Sequence, residues 1–246
     1  MASISRIASS CAAVAVASLA VTVAQATPVF DTFGPLNGAT FGGQGIPNQE
    51  VAVSKQIVNG DVTITLVMSA TQRYSNPALT NDGVGTYFAG PGSNFGGAGQ
   101  SVTEGALWNF NYYMKVEGTN GATPILADYQ IDLYYDFDTG LDTPLGSLGS
   151  INVTNAILGS VTPATTLVED SQNLNFGFLA AAIPFVVSPP AGAFDPNALG
   201  EYNFALTISS AGLPLETVAM DVQVVPEPAS LALGMIGGAL MISRRR

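Results

Sequence analysis

Three features of this 246-residue sequence predict an all-β protein. Apolar and polar residues alternate with a two-residue period in several stretches. Clusters of glycine, proline and asparagine separate those stretches. Between residues 27 and 224 there is no convincing amphipathic helix, with only a short one near Ala180 left open. A period of two marks a strand with one face on the core and one in water. Short strands between turn clusters, with no repeat at a fixed spacing, imply a single antiparallel β-sandwich or jelly-roll-like domain.

Taken in order, residues 27–50 form an irregular lead-in rich in glycine and proline. Val62, Ile64, Leu66 and Met68 then alternate with more polar neighbours, as a strand requires. Residues 75–104 read as a long Gly/Asn loop with a short strand around residues 86–89. Trp108, Phe110, Tyr112, Met114 and Val116 share one face, with Asn109, Asn111 and Lys115 on the other. After a turn at residues 118–124, Ala127, Tyr129, Ile131, Leu133, Tyr135 and Phe137 again share a face. The two stretches are expected to pair as a hairpin with an aromatic core face and a wet face. Residues 151–158 and 174–187 are expected strands, the second interrupted by Pro184. Tyr202, Phe204, Leu206 and Ile208 close the pattern together with Val218, Met220, Val222 and Val224.

Both ends carry processing signals. Arg6, an apolar stretch over residues 12–24 and the small residues Ala24 and Ala26 at −3 and −1 compose a signal peptide over residues 1–26. Signal peptidase would leave Thr27 as the first residue of a domain spanning residues 27–224. At the other end, Pro226-Glu227-Pro228 holds the backbone extended. An uncharged run over residues 229–243 follows, and Arg244, Arg245 and Arg246 close the chain. As a helix that run reaches roughly 22 Å, short of a hydrocarbon core of roughly 30 Å, so snorkelling arginines must cover the difference. Arginines at the terminus favour the cytoplasmic side and leave the proline motif just outside the membrane.

Residues 225–246 resemble the PEP-CTERM sorting signal of bacterial surface proteins, with Val225-Pro226-Glu227-Pro228-Ala229-Ser230 as its readable part. The resemblance implies transient membrane insertion through a short transmembrane helix and handling by an exosortase. It also implies delivery to the surface or exterior of a Gram-negative cell that makes exopolysaccharide and biofilm. Beyond this tail it carries no information on the domain; an ordinary C-terminal anchor is the alternative for the segment.

Composition narrows the chemistry. The lone cysteine, Cys11, lies in the signal peptide, and there is no histidine. The domain is therefore held by core burial alone, without disulfides. Residues 27–225 contain seventeen acidic and three basic residues, a net charge of −14, which excludes nucleic acid and anionic lipid as partners. Histidine-based triads, cysteine nucleophiles and His/Cys zinc sites are excluded as well. Paired carboxylates for a secreted hydrolase stay open, although no spacing singles out a pair.

One motif merits weighing. Asp136-Phe137-Asp138-Thr139-Gly140-Leu141-Asp142 offers the carboxylates of Asp136, Asp138 and Asp142 from one turn, oxygen ligands suited to calcium. The plainer reading is a strand end followed by a turn that favours Asp and Gly for backbone reasons. Trp108 and the tyrosines at 112, 113, 134 and 135 could stack on sugar rings, Tyr113 and Tyr134 best because they leave the main aromatic face. No other cofactor is indicated. The expectation is a non-catalytic, exported surface or matrix protein associated with exopolysaccharide. A secreted calcium- or carbohydrate-binding module is the alternative.

Overall fold

The computed structural model of the chain describes residues 28–74, 78–96, 103–160, 162–211 and 213–226. The expected signal peptide with Ala24 and Ala26 lies outside the described residues. So does the sorting tail from Glu227 onward, with Pro228, Arg244, Arg245 and Arg246; Pro226 is the last residue described. Among the described residues no helix is long and apolar enough to cross a membrane.

The chain folds as strands β1 (Thr32–Gly34), β2 (Val51–Asn59), β3 (Val62–Gln72), β4 (Thr80–Asn81), β5 (Thr86–Ala89), β6 (Ser93–Asn94), β7 (Gly105–Ala106), β8 (Trp108–Gly118), β9 (Gln130–Tyr135) and β10 (Gly149–Asn152). A short helix α1 (Val153–Leu158) comes next. Strands β11 (Leu167–Gln172), β12 (Val187–Ser188), β13 (Gly200–Ser210) and β14 (Leu213–Val224) complete the fold. One sheet has five strands in the order β1-β2-β3-β8-β11, and another has seven in the order β12-β10-β9-β13-β14-β5-β4. Neighbours are antiparallel except β5 and β14, which run parallel.

The two sheets share one core. Ile64, Leu66 and Met68 of β3 and Trp108, Phe110 and Met114 of β8 meet Ile131 and Leu133 of β9, Phe204 and Leu206 of β13, and Met220 and Val222 of β14. The Phe110 and Phe204 rings stack between the sheets at 4.7 Å, and Trp108 lies edge-on to Phe204 at 6.1 Å. Each fully buried side chain of this kind contributes roughly 1.5–3 kcal/mol of burial. The apolar faces predicted from alternation are the faces that turn inward.

Pairing differs from expectation. The stretches around β8 and β9 are strands with the expected faces, but they belong to different sheets and are not a hairpin. β8 pairs with β3 over all eleven residues of β3. The link between β8 and β9 holds Pro124 and a single 3-10 turn (Leu126–Asp128), so it bridges the edge of the sandwich. Thr119 and Asn120 donate to the backbone carbonyl and carboxylate of Asp61, anchoring that link to the β2–β3 turn. Periodicity fixes the face of a strand and leaves its partner open.

The structure departs from expectation elsewhere as well. Residues 151–158 are not one strand: Asn152 accepts the Asn155 N–H at 2.7 Å and caps α1. Residues 174–187 run through turns, and the strand preceding them is β11. No helix forms near Ala180. Asn111, expected on the wet face of β8, is fully buried because the lead-in folds back over the outer face of the five-stranded sheet.

Candidate ligand-binding site

Polar side chains converge on the outer faces of both sheets, and the two sites differ in character. On the seven-stranded sheet the acidic turn follows β9. Asp136 is buried, and its Oδ1 accepts the Asp138 N–H at 2.8 Å; Asp138 Oδ1 in turn accepts the Gly140 N–H at 2.8 Å. Asp142 has φ 51° and donates its N–H to Glu201 Oε1 at 3.0 Å. Thr143 donates its N–H to Asn203 Oδ1, and Asn203 Nδ2 donates to Asp221 Oδ1 at 2.8 Å. Asp132 accepts from Gln130, and Asp128 accepts the Ile125 N–H. Asp128, Asp132, Asp138 and Asp221 and one oxygen of Asp136 therefore tie turns and strands together. Asp136 Oδ2 is buried without a hydrogen-bond partner among the described residues, and Asp142 engages through its backbone N–H.

Burial raises the Asp136 carboxyl above its ordinary value, with the Asp138 N–H pulling against it. Burial also pushes Asp221 up to about 7, opposed by the hydrogen bond from Asn203 and reinforced by Glu201, Asp142 and Asp82. Among the described residues no three acidic side chains gather in an arrangement that could hold a metal ion. Asp136, Asp138 and Asp142 are neighbours in one turn, with their oxygens directed to its own N–H groups in two of the three cases.

The five-stranded sheet carries an open groove instead. Its volume is about 520 Å³. Thr71 of β3, Asn109 of β8 and Ser171 of β11 lie across its floor, residues 41–47 form one wall, and Tyr74 stands at the rim. The floor residues are pre-set: Asn109 donates to Ser171 Oγ at 2.9 Å, and Asn173 donates to Asn109 Oδ1 at 2.8 Å. Beside them Asp170, raised by burial, accepts the Ser171 N–H and the Gln172 amide. It is the one carboxylate lining the groove among the described residues.

The wall is held as firmly. Glu169 accepts the N–H of Thr40, the hydroxyl of Thr40 and the N–H of Phe41 at 2.7–2.8 Å. Phe41, fully buried against Val67, adopts φ 48°, and Gly42 follows at φ 71°. A Cβ on Gly42 would meet Asp170 Oδ1 at 3.2 Å, so the loop passes close over β11. At the rim Tyr74 has φ 59° and is 39% exposed. Buried Arg73 donates to the Tyr74 hydroxyl at 2.9 Å and lies 4.5 Å from the centre of its ring.

Of the aromatics singled out in the sequence, Trp108 and Tyr135 are buried in the core and Tyr112 packs against it. Tyr113 packs on the lead-in cluster around Phe41. Tyr134 is half-buried on the seven-stranded face. None of them lines the groove; Tyr74 does. Its signal in the sequence was weak, an aromatic at the end of a strand beside a glycine- and asparagine-rich loop.

Comparison with known proteins gives no match: no family model, curated protein or solved structure matches this chain.

Proposed function

We propose that this chain is an exported, non-catalytic protein of the cell surface or extracellular matrix. Its domain is delivered through the Pro226-Glu227-Pro228 signal and processed by an exosortase. The observation that carries this reading is the order of elements in residues 225–246: a proline-flanked glutamate, a short apolar run and three terminal arginines. The signal peptide at residues 1–26 agrees with it, because basic residues at both ends would keep both termini cytoplasmic before processing. The domain between them then passes to the outside.

The chemistry of the domain supports a non-catalytic role. It has neither histidine nor cysteine, and among the described residues its groove is lined by a single carboxylate where glycoside hydrolysis requires a pair. Glu169, the next acid in the chain, is committed to the Thr40–Phe41 backbone and hydroxyl. Associated partners in this reading are signal peptidase, an exosortase and exopolysaccharide.

Cell fractionation tests the reading. The native chain is expected in the medium or on the outer surface. A double variant, Pro226→Ala with Pro228→Ala, is expected to accumulate in the inner membrane. Equal export of the variant would refute sorting through the motif.

A further inference from the structure

We propose that the groove on the outer face of the five-stranded sheet is a binding site for a neutral polysaccharide, with Tyr74 as its stacking platform. The inference rests on the extracellular reading above, since such chains lie outside the cell.

The lining selects the ligand class. Asn109 and Ser171 present amide and hydroxyl groups that donate and accept alike, with buried Thr71 held behind them by Asn111, which suits a ligand made of hydroxyls. Among the described residues no lysine or arginine lines the groove, Arg73 is buried behind the Tyr74 ring, and Asp170 stands among the lining residues, so phosphate, sulfate and uronate chains meet no exposed counter-charge. The net charge of −14 over residues 27–225 repels them further. Ile46, Pro47 and Tyr74 add apolar surface beside this polar floor, so the groove suits a ligand with both kinds of face better than a wholly apolar one.

The geometry is fixed before binding. Tyr74 and Phe41 are bulky residues in the left-handed region, a conformation that persists only where the surroundings impose it. Arg73 imposes it on Tyr74, by the hydroxyl hydrogen bond and the contact with the ring face. Glu169 imposes the position of the opposite wall. A half-exposed ring of set orientation, facing a floor of neutral hydrogen-bonding groups, matches the two sides of a pyranose, one of C–H groups and one of hydroxyl edges. With a single carboxylate in the lining, binding should not require calcium.

Affinity electrophoresis of the mature protein tests this, in gels containing dextran, hydroxyethylcellulose or galactomannan, with alginate as the anionic comparison and excess EDTA as a further arm. Retardation is expected in at least one neutral gel, absent in alginate and unchanged by EDTA. Tyr74→Ala should weaken it roughly tenfold, and Tyr74→Phe, which keeps the ring and its contact with Arg73 but loses the hydroxyl bond, only about threefold. Ser171→Trp, which fills the floor from the solvent side, should abolish it. Circular dichroism and thermal unfolding of each variant establish that the fold is retained. Retardation in none of the neutral gels overturns the proposal, as does retardation that Ser171→Trp leaves intact or that EDTA removes. Each of these results is independent of where the cell delivers the protein, so export can stand while the groove assignment falls.

Discussion

The two outer faces of the sandwich have similar side-chain polarity and opposite organisation. On the seven-stranded face, Asp136 just past the end of β9, Asn203 of β13 and Asp221 of β14 are all buried and are closed over by the turn at residues 137–143. On the five-stranded face, Ser69, Thr71 and Asn111 are equally buried under the lead-in, but Asn109 and Ser171 continue the row into a groove that the lead-in leaves open. The first face spends its polar groups on one another and accumulates negative charge. The second is nearly neutral, and part of its row faces solvent. What separates the two faces is therefore whether the polar row is sealed, not how many polar residues it holds.

The largest expected effect is on the cover of the five-stranded face. Phe41→Ala should lower stability by about 3–4 kcal/mol, as loss of a fully buried aromatic does, and should expose residues 36–47 to proteolysis. Chemical denaturation together with limited proteolysis measures both. A loss under about 1 kcal/mol would mean the lead-in is not packed as described.

Next in size is Asp221→Asn, which should raise stability by roughly 2 kcal/mol at neutral pH. Burial lifts the folded carboxyl from its ordinary 3.8 to about 7, so the folded state holds a proton that the unfolded state has released. Stability of the native protein should therefore fall as pH rises from about 4 to about 7 and level off above that. Asp136 and Asp170 are raised by burial too and act in the same direction. The Asn variant should flatten the slope, because its amide oxygen still accepts from Asn203 and carries no charge. Denaturant midpoints across that pH range decide the matter; an unchanged slope would count against the sealed acidic row.

Glu169→Gln, on the opposite face, should act with the opposite sign. Losing the charge on an acceptor of three hydrogen bonds should cost about 1–2 kcal/mol. If removing a carboxylate stabilised both faces, the contrast between them would disappear. The smallest effect concerns calcium. Asp136 and Asp138 already accept N–H groups of their own turn, so millimolar calcium should leave the melting temperature unchanged. A rise in melting temperature that Asp138→Asn removes would restore the cation site.

Much of this architecture was legible in the sequence, and its limits have physical causes. The inward faces of β3, β8, β9, β13 and β14 followed from alternation, because burial on one side imposes it. The short strand β5 was also visible inside its loop. Which strand pairs with which was not, since β8 and β9 turn the same kind of face to one core from two sheets. β11 was missed because Leu167–Gln172 is an edge strand with no fully buried residue, and so shows little contrast between its faces. α1 begins at Asn152, whose capping role has a weak signature within a six-residue helix. The groove was hidden for another reason. Its floor comes from positions 71, 109 and 171, and its wall from a glycine-rich stretch that looks like a linker until Glu169 ties it down.

All of these properties matter biologically only if the domain reaches the outside of the cell without its tail. The intact mass of the protein recovered from the medium measures that directly. The account predicts an N-terminus at Thr27 and a C-terminus close to Glu227, with Arg244, Arg245 and Arg246 gone. A secreted species that still carries the three arginines, or a full-length chain confined to the cytosol, would contradict it.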